Sequence, residues 1–369
     1  MQVVGIIGGG QLGMMLAEQI KILGHKSICL DPNPKCPASF VCDEVVVGKY
    51  DDLNALEELG KKCNVITYEF ENIKAENLEY LYAYYNIKQG IKQLFDSQNR
   101  IREKQNALNL GLNTPKFKAV RNYEELIEAV DILKMPCVYK TATLGYDGHG
   151  QVVIKTISDL EKVKPYINQE GIVEEFIDYD FETSIIMVRS KEKIISFPMT
   201  RNIHKNGILD LVIADKDMPV FNKIKEDAYQ FMIKADYYGI LTIEFFVKGD
   251  NYYFNEMAPR PHNSGHYTIE GCNTNQYLEL AKYLLDIPLS EPKLLHKTIM
   301  KNILGYDYNN VEKINFPNAY IHMYHKADVL PFRKMGHITF IDTSLEEYKE
   351  KYSKLFCNEE QAWVTIAFM

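Results

Sequence analysis

Short apolar runs alternate with stretches in which apolar positions recur every three or four residues along the first ninety positions. VVGIIG (3–8), KSICLD (26–31), EVVVGK (44–49) and NVITYEF (64–70) read as strands. QLGMMLAEQIKILG (11–24) and DDLNALEELGKK (51–62) read as helices. This strand–helix–strand rhythm predicts an α/β unit on a parallel sheet. A polar helix from about Gln98 to Leu110 leads away from it, and Pro115 ends that region. From about 115 to 178 a smaller unit follows: helix YEELIEAVDILK, strand MPCVYKT, glycine-rich loop TATLGYDGHG, strand QVVIK, a short helix and GIVEEFI. FETSIIMVRS, KIISFPMTR, GILTIEFFVKG and NYYFNEMAP have the length and alternation of antiparallel strands, and NTNQYLELAKYLLD that of a helix. From about 291 the pattern changes to short strands such as YIHMYHK and HITFID.

Composition narrows the chemistry. The 369 residues carry a net charge of -8, which argues against a general affinity for nucleic acid. No apolar stretch has membrane-spanning length, so no membrane partner is expected. The seven cysteines, an odd number, contain no C-x-x-C pair and predict reduced thiols in a cytoplasmic protein.

Gly8, Gly10 and Gly13 fit G-x-G-x-x-G between a strand and a helix, with Asp31 ending the next strand. That spacing suits a dinucleotide, whose phosphates would meet helix N-terminal amides. The same geometry holds any phosphate or carboxylate, and glycines also permit close strand–helix packing. Further on, Glu244 and Glu256 flank the turn Gly249-Asp250-Asn251. A hairpin folded about Asp250 sets the two acids opposite each other on one face. Like charges so placed repel, and a divalent cation with oxygen ligands, Mg2+, reverses the sign of that interaction. Asn255 is a further oxygen ligand. Lys140 ends a strand ahead of the glycine-rich loop, where it can meet phosphate while the loop closes over it. Glu174-Glu175-Phe176-Ile177, read as an edge strand, can offer backbone groups to an adenine, and Glu182 can bind ribose hydroxyls. Arg260, His262, Asn263, Ser264 and His266 follow the acidic hairpin. Pro259 and Pro261 make this segment a loop, which favours an anion- or substrate-binding role over zinc.

Taken together, GIIGGGQLGMM, ITYEFENI, YDGHGQ, IEFF, NEMAPRPHNSGHYTIE and RKMGHIT resemble the N5-carboxyaminoimidazole ribonucleotide synthetases, ATP-grasp carboxylases of purine biosynthesis. The resemblance spans nearly the whole chain, and NEMAPRPHNSGH is its most specific segment. It implies an α+β ATP-grasp fold. A Rossmann-like N-terminal domain would cover 1–94 and an ATP-grasp domain 95–290, with its lid at about 115–178. A β-rich C-terminal domain would cover 291–369. It implies ATP and Mg2+, with Mn2+ as the alternative ion, and a homodimer acting on ATP, bicarbonate and aminoimidazole ribonucleotide. Arg100, Lys104 and Lys140 match phosphate-side positions, Glu174 the adenine-side acid, Glu182 the ribose acid, and Glu244 and Glu256 the metal ligands. Gln11, Leu12, Glu69, Tyr146, Asp147, Asn263, Lys326 and Arg333 match the ribonucleotide side, with Lys326 and Arg333 on its 5′-phosphate. Lys140, Tyr146, Asp147, Arg260 and Asn263 are the residues expected nearest the chemistry.

The lid departs from the family's K-T-R-x-G-G-Y-D-G-K-G-Q: Ala142, Leu144 and His149 replace an arginine, a glycine and a lysine. Two other readings therefore stay open. One is a related ligase activating another carboxylate, as the formate-using glycinamide ribonucleotide transformylase does. The other is an ATP-binding pseudoenzyme.

Overall fold

A computed structural model of the chain describes residues 1–143 and 150–356. Strands β1 (Val3–Ile7), β2 (Lys26–Asp31), β3 (Glu44–Val47) and β4 (Val65–Tyr68) form a parallel sheet in the order β3-β2-β1-β4. Helices α1 (Gln11–Ile22), α2 (Leu53–Lys62) and α3 (Ala75–Tyr84) connect and follow them. This is the α/β unit expected from the alternating pattern. Helix α4 (Lys92–Ser97) leads to α5 (Arg100–Asn109). The Asn99 side chain caps α5 by accepting from the Ile101 and Arg102 amides at 3.0 and 3.2 Å, which fixes Arg100 in the first turn.

The small unit is an antiparallel sheet of β5 (Phe117–Val120), β6 (Cys137–Thr141), β7 (Gln151–Ile154) and β8 (Gly171–Glu175), with α6 (Tyr123–Leu133) against it. Its order is β5-β8-β6-β7. The expected edge strand is thus an interior one. Glu174 pairs with Phe117 on one side and Val138 on the other, and Phe176 and Ile177 lie past the last ladder pair. The reason is that β5, a four-residue strand with only Val120 buried, supplies a partner too short for the apolar pattern to reveal.

The large sheet begins with β9 (Phe181–Arg189), β10 (Ile194–Ser196), β11 (Thr200–Lys205) and β12 (Ile208–Ala214). KIISFPMTR, expected as one strand, is divided between β10 and β11 around Pro198, which cannot donate to a ladder. Helix α7 (Pro219–Lys234), absent from the predicted elements, starts with a proline in its first turn and buries Phe221, Ile224, Ala228, Phe231 and Met232. The hairpin β13 (Gly239–Lys248) and β14 (Asn251–Ala258) follows, then the short α8 (Thr268–Gly271) and α9 (Gln276–Leu284). Buried α9 residues Tyr277, Leu280, Ala281 and Leu284 share one core with Leu12, Met15, Leu16 and Ile20 of α1. Burying each leucine, isoleucine or methionine among them contributes about 1.5–3 kcal/mol, so the first unit and the large sheet are held together apolarly.

The last strands, β15 (Thr298–Leu304), β16 (Ala319–Met323) and β17 (Lys334–Ile341), do not make a sheet of their own. The order β14-β13-β9-β11-β12-β15-β17-β16 makes them a continuation of the large sheet, joined where β15 pairs with β12.

Candidate active site

The acidic hairpin is where folding and chemistry first meet. Glu244 pairs with Glu256, as the midpoint argument expects, but by a different route. The turn is the two residues Gly249-Asp250, because Asn251 already pairs with Lys248. A bulge between Glu244 and Phe245 adds the missing residue at Asn255, which has no partner opposite. Asn255 and Glu256, neighbours in sequence, therefore both line the same cleft.

This cleft, of about 560 Å³, lies between the small sheet and the large one. Lys140, Glu174, Glu175, Phe176 and Ile177 line one wall, with Val138 and Val153 supplying apolar surface. Arg100, Glu182, Glu244, Asn255, Glu256 and Asn263 line the rest, with Phe246 and Leu209. With His262, which also lines it, twelve of the sequence-predicted site residues thus converge: five on the first wall and seven on the second.

Its charges are tightly interlocked. Lys140 Nζ donates to Glu174 Oε2 at 3.0 Å and to Asn255 Oδ1 at 3.2 Å. Lys104, fully buried behind it, sits 3.3 Å from the same Glu174 oxygen and donates to the Phe254 carbonyl at 3.1 Å. Burial alone would raise the Glu174 carboxyl, but Lys104 and Lys140 hold it below its ordinary value, so it stays ionised. Its side chain is thereby committed to two lysines. Burial lowers Lys104 to about 8, with Glu174 opposing. Arg100 Nη1 lies 2.8 Å from Glu256 Oε2. Burial works to raise Glu256, and Arg100 and Lys140 overcome it, leaving the carboxyl at about 2. Glu244 has no such partner. Burial, then the charges of Glu256 and Glu182, push it well above its ordinary value. Its Oε1 has no hydrogen-bond partner among the described residues. A buried carboxylate facing like charges fits a cation, so Glu244 with Glu256 and Asn255 is a donor set that a hard divalent ion can use.

The glycine motif leads elsewhere. The Gly10 amide donates to Glu69 Oε1 at 2.6 Å, and the Gly9 amide to Asp31 Oδ2 at 2.9 Å. Tyr50 donates to the same Asp31 oxygen at 2.7 Å. The amides a dinucleotide phosphate would need are taken by the chain's own carboxylates. A Cβ at Gly10 would stand 2.8 Å from Glu69 Oε1, so any side chain there would displace that carboxylate. Burial raises Glu69 to about 7, against the Gly10 hydrogen bond. Arg260, on the loop after the hairpin, pairs with Glu71 at 3.0 Å. Asn263 and Asn302 exchange amide hydrogen bonds at 3.1 and 2.6 Å. Gln11 is half-buried at the start of α1. The Leu12 side chain, expected beside substrate, is packed in the core, because the α1 stripe that buries Met15 and Leu16 also includes it.

Lys326 and Arg333 are not brought to this cleft. Lys326 donates to the Lys334 carbonyl at 2.8 Å, and Arg333 to the Asp328 carbonyl at 3.1 Å, within the loop joining β16 and β17. Lys334, next to Arg333, lines the cleft instead. Tyr146 and Asp147 lie outside the described residues. Sequence reasoning also missed His204, Tyr179 and Phe246. Tyr179 donates to Glu182 Oε1 at 2.6 Å and stacks on Phe246 with centroids 4.7 Å apart. A lone histidine in N-I-H-K carries no signal without the sheet order.

Family models match along the chain: the ribonucleotide synthetase preATP-grasp domain at 1–95, the ATP-grasp domain at 105–277, and the phosphoribosylaminoimidazole carboxylase C-terminal domain at 298–351. The N5-carboxyaminoimidazole ribonucleotide synthase of Staphylococcus haemolyticus is 38% identical over 364 residues, 97% of each chain. That of Staphylococcus saprophyticus is 38% identical over 366 residues, 96% of each. The crystal structure of N5-carboxyaminoimidazole synthetase from Staphylococcus aureus complexed with ADP matches with a TM-score of 0.93 at 36% identity, over 96% of this chain and 97% of that one. The synthase from Aspergillus clavatus in complex with ADP and 5-aminoimidazole ribonucleotide matches with a TM-score of 0.88 at 28% identity, over 96% and 97%. With full-length relatives at this identity and the same three-part order of domains, the chain belongs to the N5-carboxyaminoimidazole ribonucleotide synthase family of ATP-grasp ligases.

Proposed function

We propose that the chain carboxylates the 5-amine of 5-aminoimidazole ribonucleotide with bicarbonate and ATP. The products are N5-carboxyaminoimidazole ribonucleotide, ADP and phosphate, a step of purine biosynthesis. The observation that carries the reading is the meeting of Arg100, Lys140, Glu244 and Glu256 in one cleft of a chain of this family.

In this reading the base rests between Val138, Val153, Leu209 and Phe246, with Phe176 and Ile177 supplying backbone groups. Glu182 takes the ribose hydroxyls. Lys140 and Arg100 face the phosphates, and Lys104 supports Lys140 through the shared Glu174. Glu244 and Glu256, with Asn255, hold Mg2+, Mn2+ being the alternative; when bound, the ion supplies positive charge against the phosphate oxygens. Phosphoryl transfer needs alignment and charge neutralisation more than covalent help. Bicarbonate oxygen attacks the γ-phosphorus, ADP leaves, and carboxyphosphate results. The substrate's amine then takes the carboxyl carbon, or carbon dioxide released from it, as phosphate departs. Arg260, held by Glu71, and Asn263, held by Asn302, orient the acceptor. Gln11 and the Leu12 backbone, Glu69, Lys326 and Arg333 bind the ribonucleotide, with Tyr146 and Asp147 closing from the lid. The reading keeps a homodimer in the cytoplasm, with which the six described free thiols accord.

The test is ADP release and label capture with labelled bicarbonate. ADP formation should require both bicarbonate and aminoimidazole ribonucleotide, and one label should be captured per ADP. Turnover driven by formate instead, or ATP binding without any turnover, would overturn the reading in favour of the transformylase-like or the pseudoenzyme alternative.

A further inference from the structure

The three adjacent strands β13, β9 and β11 set Glu244, Glu182 and His204 on one face of the large sheet. Glu244 pairs with Ser184, two residues from Glu182 along β9, and Asn202, two residues from His204, pairs with Glu182. One donor atom from each of the three lies within 4.8 Å of the other two. Two of the side chains are incompletely satisfied. Glu244 is 7% exposed, and its Oε1 has no hydrogen-bond partner among the described residues. His204 Nδ1 is buried and faces Glu182 Oε2 at 3.1 Å without meeting hydrogen-bond geometry, so it too has no such partner. Tyr179 takes the other Glu182 oxygen, which orients the carboxylate. His262, 3.7 Å from Glu244 Oε1, is occupied by Ser264 at 2.8 Å.

We propose that Glu182, His204 and Glu244 form a site for a borderline divalent cation of the Zn2+ type in the nucleotide-free chain. One imidazole and two carboxylates are a donor set for such an ion, whereas a hard ion such as Mg2+ gains little from imidazole. A tetrahedral ion with bonds of about 2.0–2.1 Å sets its ligands about 3.4 Å apart, so the site closes by a contraction of little more than ~1 Å. Three protein ligands leave one position for water. The site shares Glu244 with the pair assigned to Mg2+ above but draws its other ligands from Glu182 and His204. Glu256 is held 2.8 Å from Arg100 and is not in the cluster. Ion binding does not depend on the carboxylation reading. Only its consequence does: an ion here engages the acids that the ribose and Mg2+ would use, so Zn2+ and nucleotide exclude each other.

The experiment titrates metal-stripped, nucleotide-free full chain with Co2+, a visible stand-in for Zn2+. Uptake should saturate at one equivalent with weak oxygen/nitrogen-type bands. His204→Asn and Glu182→Gln should each weaken it at least tenfold, while Cys36→Ser leaves it within twofold. The cysteine control matters because Cys29 and Cys36 place their sulfurs 3.9 Å apart and are the competing soft site. Wild-type crystals soaked in Zn2+ need no variant and should show an anomalous peak bonded to His204 Nδ1. No saturable uptake, uptake that survives His204→Asn, intense sulfur charge-transfer bands, or an anomalous peak elsewhere would each overturn the proposal. No substrate or turnover enters these measurements, so their failure is separate from failure of the carboxylation assay.

Discussion

Replacing Glu256 by glutamine keeps the side chain's volume and removes its charge, which separates what the carboxylate does for folding from what it does for catalysis. Glu256 Oε2 lies 2.8 Å from Arg100, whose side chain is 16% exposed, while that of Glu256 is 40% exposed. Two charges about 4 Å apart at an effective dielectric of about 20 attract by about 4 kcal/mol. The exposure of Glu256 moves the pair toward the ~1 kcal/mol or less of surface ion pairs. The amide oxygen still accepts from Arg100, and Glu244 loses the like charge paired opposite it. The net folding change should be about 1 kcal/mol, or roughly 2–4 °C in melting temperature. Turnover should respond far more. Charge stabilisation through a bound metal is worth several kcal/mol at the transition state. A loss of about 3–4 kcal/mol lowers kcat by about a hundred- to a thousandfold. ADP release at saturating Mg2+, beside scanning calorimetry, measures both. A variant within tenfold of wild type, or one that melts more than about 10 °C lower, would refute the reasoning.

The basic loop and the glycine motif give two more. Arg333→Ala removes an exposed guanidinium and should raise the Michaelis constant for aminoimidazole ribonucleotide about ten- to a hundredfold, the loss of one charge-assisted phosphate contact of about 1.5–3 kcal/mol. That for ATP should stay within a few fold, and a mutant that loses ATP affinity instead, or neither, puts the phosphate elsewhere. Glu69 sits at about 7 when folded, above its ordinary value. The folded chain therefore keeps a proton that the unfolded chain releases, and stability falls as pH rises from about 4.5 through 7, by at most about 3 kcal/mol. Melting curves of wild type and Glu69→Gln should diverge across that window; parallel curves would remove the assignment.

The parts legible in sequence were those whose neighbours are close in the chain. Glu244 and Glu256 could be matched because a hairpin is symmetric about its midpoint. Even so, the symmetry came from a two-residue turn plus a bulge at Asn255, which no pattern of apolar positions marks. Lys140 and Glu174 could be named, but not that they bond each other, since that needs β6 beside β8. His204 was invisible for the same reason: its meaning comes from β11 lying next to β9, and β9 next to β13. Family resemblance supplied what spacing could not, including Lys104 and Gln11, yet it named Lys326 and Arg333 without saying that Lys334 would line the cleft.

The junction of β12 with β15 bears on how this protein can be divided. Family models assign 105–277 and 298–351 to different domains. Mechanically there is no seam there, because Leu211 to Ala214 pair with Thr298 to Lys301 in an unbroken ladder. A chain stopped before Thr298 would keep every cleft residue except Lys334. It would also turn β12, buried from Leu209 to Ala214, into an open edge of unpaired amides and carbonyls beside apolar side chains. Such an edge recruits other strands, so the shortened protein would be expected to self-associate rather than yield a minimal catalyst. The C-terminal segment therefore guards the open flank of the sheet that lines the cleft.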